Sequence, residues 1–246
     1  ELLTANLYQI KQGKSAQVIN YYDPEQQVLT IPLQENLTPN ENAQKYFKKY
    51  AKAKAGAQQS LIQAEHTQDE LNYLDSIKNS LHTAQTPEDL QDIRLELENA
   101  SYVKAKVTKQ NKKGKKEPTF KPLVVHYGDI EILIGKNNVQ NDYVTTRLAR
   151  NNDVWFHVKD IPGSHVVIRN HQEQRELTQD VLDFAAHLAA YFSKSRYSSL
   201  VPVDYTLKRY VHKPNGAKPG RVIYENQKTI YITPDEAAIE EILKGN

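Results

Sequence analysis

The sequence predicts an α+β protein, an α-helical coiled-coil hairpin arm followed by a compact mixed α/β C-terminal domain. Three observations predict it. Helix starts with the same cap chemistry stand at Thr38 and Thr86, a basic run punctuated by Gly and Pro fills residues 104–121, and short β-branched and aromatic runs recur from Pro122 onward.

Residues 1–37 read as a connector carrying a β-hairpin, with runs at 17–22 and 27–32 around the turn Asp23-Pro24-Glu25-Gln26. At Thr38-Pro39-Asn40-Glu41 a capping box with Pro at the first helical position opens a long helix. Heptad seams run along it to Leu81. They are Ala-rich and broken by Ser60, Thr67 and Lys78, so any coiled-coil packing is thin. Forty-odd helical residues would extend roughly 60 Å. Thr86-Pro87-Glu88-Asp89 starts a second, shorter helix with Leu90, Ile93 and Leu97 on one stripe, which gives an αα-hairpin over 38–103 with a short returning limb. Residues 104–121 hold eight Lys and one acid, Glu117; they cannot bury apolar area and read as a basic flexible linker.

The domain expected over 122–246 begins with a hairpin over Gly128. A short helix at 141–149 follows, then strands at 154–158 and 165–168 joined through Pro162-Gly163. A buried helix at 177–192, strands at 204–211, 221–224 and 229–232, and a closing helix at 234–243 complete it.

Composition narrows the function classes. The chain has 246 residues, a mean hydropathy of -0.71 and no cysteine. No apolar window is long enough to span a bilayer, so no membrane partner is expected. Disulfides, thiolate metal sites and cysteine nucleophiles are excluded. The opening ELLTANLYQI has no secretory-signal pattern, and a start on Glu suggests a fragment of a longer protein. The net charge of +2 hides an asymmetry, because residues 1–103 hold 9 Lys+Arg against 14 Asp+Glu whereas the rest hold 23 against 16.

Two stretches carry chemistry. In the first, Asn152 to Val167, the lone Trp155 and Phe156 stand beside His157, Lys159 and Asp160. The Pro162-Gly163 turn then leads into Ser164 and His165. Backbone amides, a hydroxyl and imidazoles on one loop suit an anion or ribose-phosphate cradle, whereas the bland reading makes the aromatics core and the His residues satisfied donors. Six of the eight His residues lie beyond residue 122, yet no HExxH motif or His pair at helical spacing points to a metal. A Ser164-His157-Asp153 hydrolase lacks the G-x-S-x-G elbow. No cofactor, metal or catalytic residue is therefore expected.

The second stretch, 194–221, sets Lys194, Arg196, Lys208, Arg209, Lys213, Lys218 and Arg221 against one acid, Asp204, and interleaves Tyr197, Tyr205 and Tyr210. Cations supply attraction for phosphate and aromatic faces can stack unpaired bases, the composition of an RNA-contacting face. The loop 213–220 would hold its lysines outward on a stiff Pro/Gly frame.

The residues 153–167, with Asn151, 201–205, 212–220 and 226–229, closely resemble the NFACT-R RNA-binding domain, and 37–50 resembles the start of the coiled-coil middle segment of the same proteins. That family comprises the RqcH/NEMF ribosome quality-control factors, also named fibronectin-binding proteins in streptococci and relatives. The resemblance implies a non-enzymatic cytoplasmic factor that binds the large ribosomal subunit (rRNA) carrying stalled peptidyl-tRNA. It recruits tRNA, alanyl-tRNA in bacterial members, for tailing of the stalled peptide without mRNA. The family's N-terminal half is not recognisable here. Under this resemblance Trp155, Phe156, His157, Lys159, Asp160, Gly163, Ser164 and His165 form a fixed recognition loop. Lys194, Arg196, Lys208, Lys213, Lys218 and Arg221 are expected on phosphate. The rival reading is an adhesin with fibronectin as partner and a surface-exposed pool, but the chain shows no wall anchor or fibronectin-binding repeat.

Overall fold

The computed structural model describes residues 1–104, 121–170 and 176–244; the basic segment expected as a linker lies almost wholly outside the described residues. Contacts divide the chain into two compact units, Glu1–Asp69 and Glu70–Asn246, so the division falls inside the long helix.

In the first unit, helix α1 (Leu2–Ala5) precedes the antiparallel pair β1 (Ser15–Ile19) and β2 (Val28–Pro32), in which Val18 faces Leu29. Leu3, Ala16, Val18 and Ala43 make its small core. Ala43 belongs to α2 (Pro39–Thr83), whose expected capping box is present: Glu41 N donates to Thr38 Oγ1 at 3.3 Å and Thr38 N to Glu41 Oε2 at 2.8 Å. From residue 44 to 69 every side chain of α2 is exposed, and the Ala-rich seams have no apolar partner there among the described residues.

The second unit contains the end of α2 and the shorter α3 (Pro87–Asn99), again opened by a capping box, here between Thr86 and Asp89. Tyr73, Ile77 and Ile93 form the apolar contact of this hairpin, with Leu97 beside them. The carboxyl of Glu96 is buried with them, and Tyr73 Oη donates to its Oε1 at 2.9 Å. Burial holds the Glu96 carboxyl above its usual range.

The six-stranded sheet is antiparallel throughout, in the order β10-β7-β5-β6-β4-β3. Its strands are β3 (Leu123–Tyr127), β4 (Ile130–Ile134), β5 (Val154–Val158), β6 (Val166–Ile168), β7 (Val201–Leu207) and β10 (Lys228–Ile232). Period-2 alternation sends Val154, Phe156 and Val158 to one face. There α5 (Gln179–Tyr191) packs, together with Ile239 of α6 (Glu236–Lys244). Trp155 goes to the other face with Leu133, Val167 and Val211. That face carries α4 (Asn138–Tyr143), which continues as a π-helical turn over Val144–Leu148, and the short pair β8 (Val211–His212) and β9 (Ile223–Tyr224). The strand expected over 204–211 therefore ends at Leu207. A single 3-10 turn, Lys208–Tyr210, redirects the chain into β8.

Candidate nucleic-acid interface

The first chemical stretch is built into the interior. Trp155 and Phe156 are fully buried on opposite faces, as strand alternation requires. His157 stacks on Trp155 at 5.7 Å and meets His165 edge-on at 5.3 Å. The loop after β5 turns at Asp160, whose φ is 54°, and is then fixed by backbone bonds. Ser164 N donates to Phe192 O at 3.1 Å and Lys194 N to Pro162 O at 2.9 Å. Gly163 is required by space, because a Cβ would come within 2.9 Å of Ser193 Cβ. Asn141 of α4 clamps the same loop through Nδ2 to Gly163 O at 3.1 Å and Oδ1 from His165 N at 2.8 Å. The hydroxyl of Thr145, on the π-helical turn, lies 2.8 Å from His165 Nδ1.

Across the sheet, Asp204 faces His157 on β5 and Thr229 on β10. Its carboxylate accepts from Thr229 Oγ1 at 2.6 Å and from Tyr224 Oη at 2.9 Å. Burial pushes His157 down to about 4, against the opposing pull of Asp204; burial and the neighbouring His157 hold His165 well below its ordinary range. Both imidazoles are neutral at pH 7. Of the eight expected loop residues, only Lys159 and Asp160 are exposed; Trp155, Phe156, Ser164 and His165 are buried, and His157 and Gly163 are partly buried. The loop is rigid because it is tied to α4 and α5, and the motif's aromatic and imidazole groups form that support. Among the described residues no group of three or more His, Asp or Glu side chains could hold a metal ion.

The six expected phosphate contacts divide by their partners. Arg196 is locked: its guanidinium lies 3.8 Å over the Tyr191 ring and pairs with Glu236 and, at 3.1 Å, with Glu240 of α6. Lys213 pairs with Asp142 at 2.6 Å. Lys194 reaches Asp75 at 2.6 Å, and Lys218 sits 4.4 Å over the Tyr73 ring and 3.9 Å from Glu70, so both tie the C-terminal domain to the helical hairpin within the second unit. The amides of α4 make the same junction, Asn138 Nδ2 donating to Ser76 Oγ at 2.8 Å and Gln140 Nε2 to Asp92 Oδ2 at 3.1 Å. Arg221 is exposed and Lys208 half-buried.

A cleft of about 350 Å³ opens where β5 and β10 begin and β7 ends. Leu177, Leu182 and Leu207 line it with Tyr205 and Tyr210; Asn170, Asn226 and Lys228 supply polar groups. Tyr205 is stacked on Phe156 at 5.4 Å, so the cleft wall rests on the buried motif. Arg209 lies 5.6 Å from the Tyr210 ring centroid. Among the described residues Lys208, Arg209 and Lys228 have no carboxylate at ion-pair distance. The sequence reading missed Lys228 and Asn226 as site residues. They lie just past the basic run, and the available signal was the register that puts Lys228 opposite Tyr205.

Residues 1–116 match the family model described as the NFACT N-terminal and middle domains, and residues 120–226 match the NFACT protein RNA binding domain. The whole chain aligns at 48% identity with the Rqc2 homolog RqcH of Bacillus subtilis, and 98% of it aligns at 41% identity with the protein of that name in Streptococcus suis. The chain belongs to the NFACT family. It spans 42% of the length of each of these two relatives. Among solved structures it is similar to the C-terminal part of the fibronectin/fibrinogen-binding protein of Streptococcus suis. The TM-score is 0.73 at 41% identity, covering 85% of this chain and 81% of that one. The match over residues 1–116 brings the connector and helical hairpin of this NFACT chain into the family along with its sheet domain.

Proposed function

We propose that this NFACT chain is the RNA- and ribosome-binding part of a ribosome quality-control factor. In this reading the whole protein engages the large ribosomal subunit that carries stalled peptidyl-tRNA and helps recruit tRNA, alanyl-tRNA by family resemblance, for tailing without mRNA. The chain acts as a binding factor in the cytoplasm, and the ribosome performs peptide transfer. The observation that carries the reading is a cleft with two tyrosines, bordered by cations that have no carboxylate partner among the described residues, in and just beyond the segment that matches an RNA-binding family model.

Within this proposal the rigid loop 155–165 positions the exposed Lys159 at the surface, while Lys208 and Arg221 contact phosphate. Lys194 and Lys218 can exchange partners for phosphate, since a surface ion pair contributes only about 0–1 kcal/mol. Arg196, less exposed and held by two carboxylates, stays in place. The test is to crosslink the chain to ribosomes and sequence the attached RNA. Large-subunit rRNA and tRNA should be enriched; recovery of RNA no different from that with an unrelated basic protein contradicts the reading.

A matrix-protein adhesin is the second reading, favoured by the description of the similar streptococcal structure. Capture from lysate with and without RNase separates the two. An RNA-binding factor loses ribosomal material on RNase treatment, and an adhesin does not.

A further inference from the structure

The cleft has features that bulk attraction to phosphate does not require. Its volume of about 350 Å³ is on the scale of small-ligand sites and far too small for a duplex. Its lining combines aliphatic surface with the rings of Tyr205 and Tyr210, and Tyr205 is already held flat against Phe156 from within. Asn226 stands at the edge with φ 54°, a left-handed conformation that Asn tolerates. Its backbone carbonyl accepts from Thr206 Oγ1 at 3.4 Å, so the turn is tied down. Its exposed carboxamide can donate and accept at once. Lys228, two residues on, brings a positive charge to the same opening, and Arg209 brings a second beside Tyr210.

We propose that this cleft takes a single unstacked base of single-stranded RNA, with the Asn226 carboxamide on the base edge and Lys228 and Arg209 on the flanking phosphates. The inference rests on the RNA-binding reading and deepens it. Charge complementarity selects the occupant. An apolar ligand makes no use of the two cations and the carboxamide at the mouth, whereas a nucleotide matches its stacking face to tyrosine, its edge to the amide and its phosphate to the cations. A paired base cannot enter, because both its faces and its edge are covered in a helix. The cleft therefore discriminates single strand from duplex without a metal or a moving part.

The test uses the full 246-residue chain and a fluorescein-labelled 12-nucleotide single-stranded RNA of mixed sequence, with a blunt duplex of the same sequence as second probe, read by anisotropy. Tyr210→Ala should weaken the single strand about tenfold and the duplex less than twofold. Asn226→Gly keeps the left-handed backbone while removing the carboxamide; it should weaken the single strand several-fold with the thermal midpoint unchanged. Replacing the bases of the oligonucleotide by abasic sites should abolish the difference between wild type and Tyr210→Ala. If Tyr210→Ala and Asn226→Gly both bind single strand within twofold of wild type, the cleft is not a base site and the RNA-binding reading stands on phosphate contacts alone. If the wild-type chain binds neither probe, both readings fall.

Discussion

The loop 155–165 and the cleft at Tyr205, Tyr210 and Lys228 lie in one domain and share the contact between Phe156 and Tyr205, yet they divide structure and contact between them. The loop has the residue types of a reactive centre, and nearly all of those groups are spent on packing and internal hydrogen bonds. The cleft draws its tyrosines and Arg209 from the basic, aromatic stretch expected on RNA, and Asn226 and Lys228 at its opening are exposed. Side-chain identity alone does not separate architecture from interface. What separates them is whether a group's bonding capacity is already used.

That contrast can be broken from either side. The largest effect is expected at Trp155→Ala, which empties a fully buried site and should cost about 3–5 kcal/mol in denaturant unfolding. RNA affinity of the fraction that remains folded should stay within twofold of wild type. A strong loss of affinity in folded protein would move Trp155 from support to contact. Next, Arg196→Ala removes the partner of Glu236 and Glu240 and the stack on Tyr191, and about 2 kcal/mol of stability should go with it. Unchanged stability would return Arg196 to the set of available cations.

A third effect follows pH. The unfolded chain protonates its histidines near pH 6.5, whereas His157 takes a proton only near 4 and His165 well below the ordinary range, so each favours unfolding as acid is added. The stability they contribute is complete above pH 6.5 and declines from there down toward pH 4. Urea midpoints at pH 7.5, 6 and 5 should fall in that order, with a shallower fall for His165→Gln. An identical slope in that variant would mean that other groups set the acid limit. The smallest effect belongs to Lys194→Ala. Its pair with Asp75 is largely exposed, and its loss should shift stability by no more than about 1 kcal/mol.

Much of the fold was legible. The capping boxes at Thr38 and Thr86 use local chemistry that sequence displays directly, and five of the six strands of the large sheet lie where expected. The start of β7 was not, because Pro202 lacks the N–H that a mid-sheet strand donates, yet Val203 pairs with Val158 in mid-sheet. The π-helical turn after α4 was not legible either; it places Thr145 against His165 through a contact 20 residues apart. The site was less legible than the fold. Counting charges between 194 and 221 located a basic surface, but the partners of Lys194 and Lys218 are 119 and 148 residues away, and no local count can find them.

The most direct test is the salt dependence of RNA binding by two triple variants of the full chain. Lys208→Ala/Arg209→Ala/Lys228→Ala removes cations that have no carboxylate partner among the described residues, and Lys194→Ala/Arg196→Ala/Lys213→Ala removes paired ones. For single-stranded RNA the first should lower the slope of log affinity against log salt by about 2, and the second by about 0.7, the share of Lys194 alone. Equal slopes in the two variants, or a larger loss from the paired set, would contradict the account.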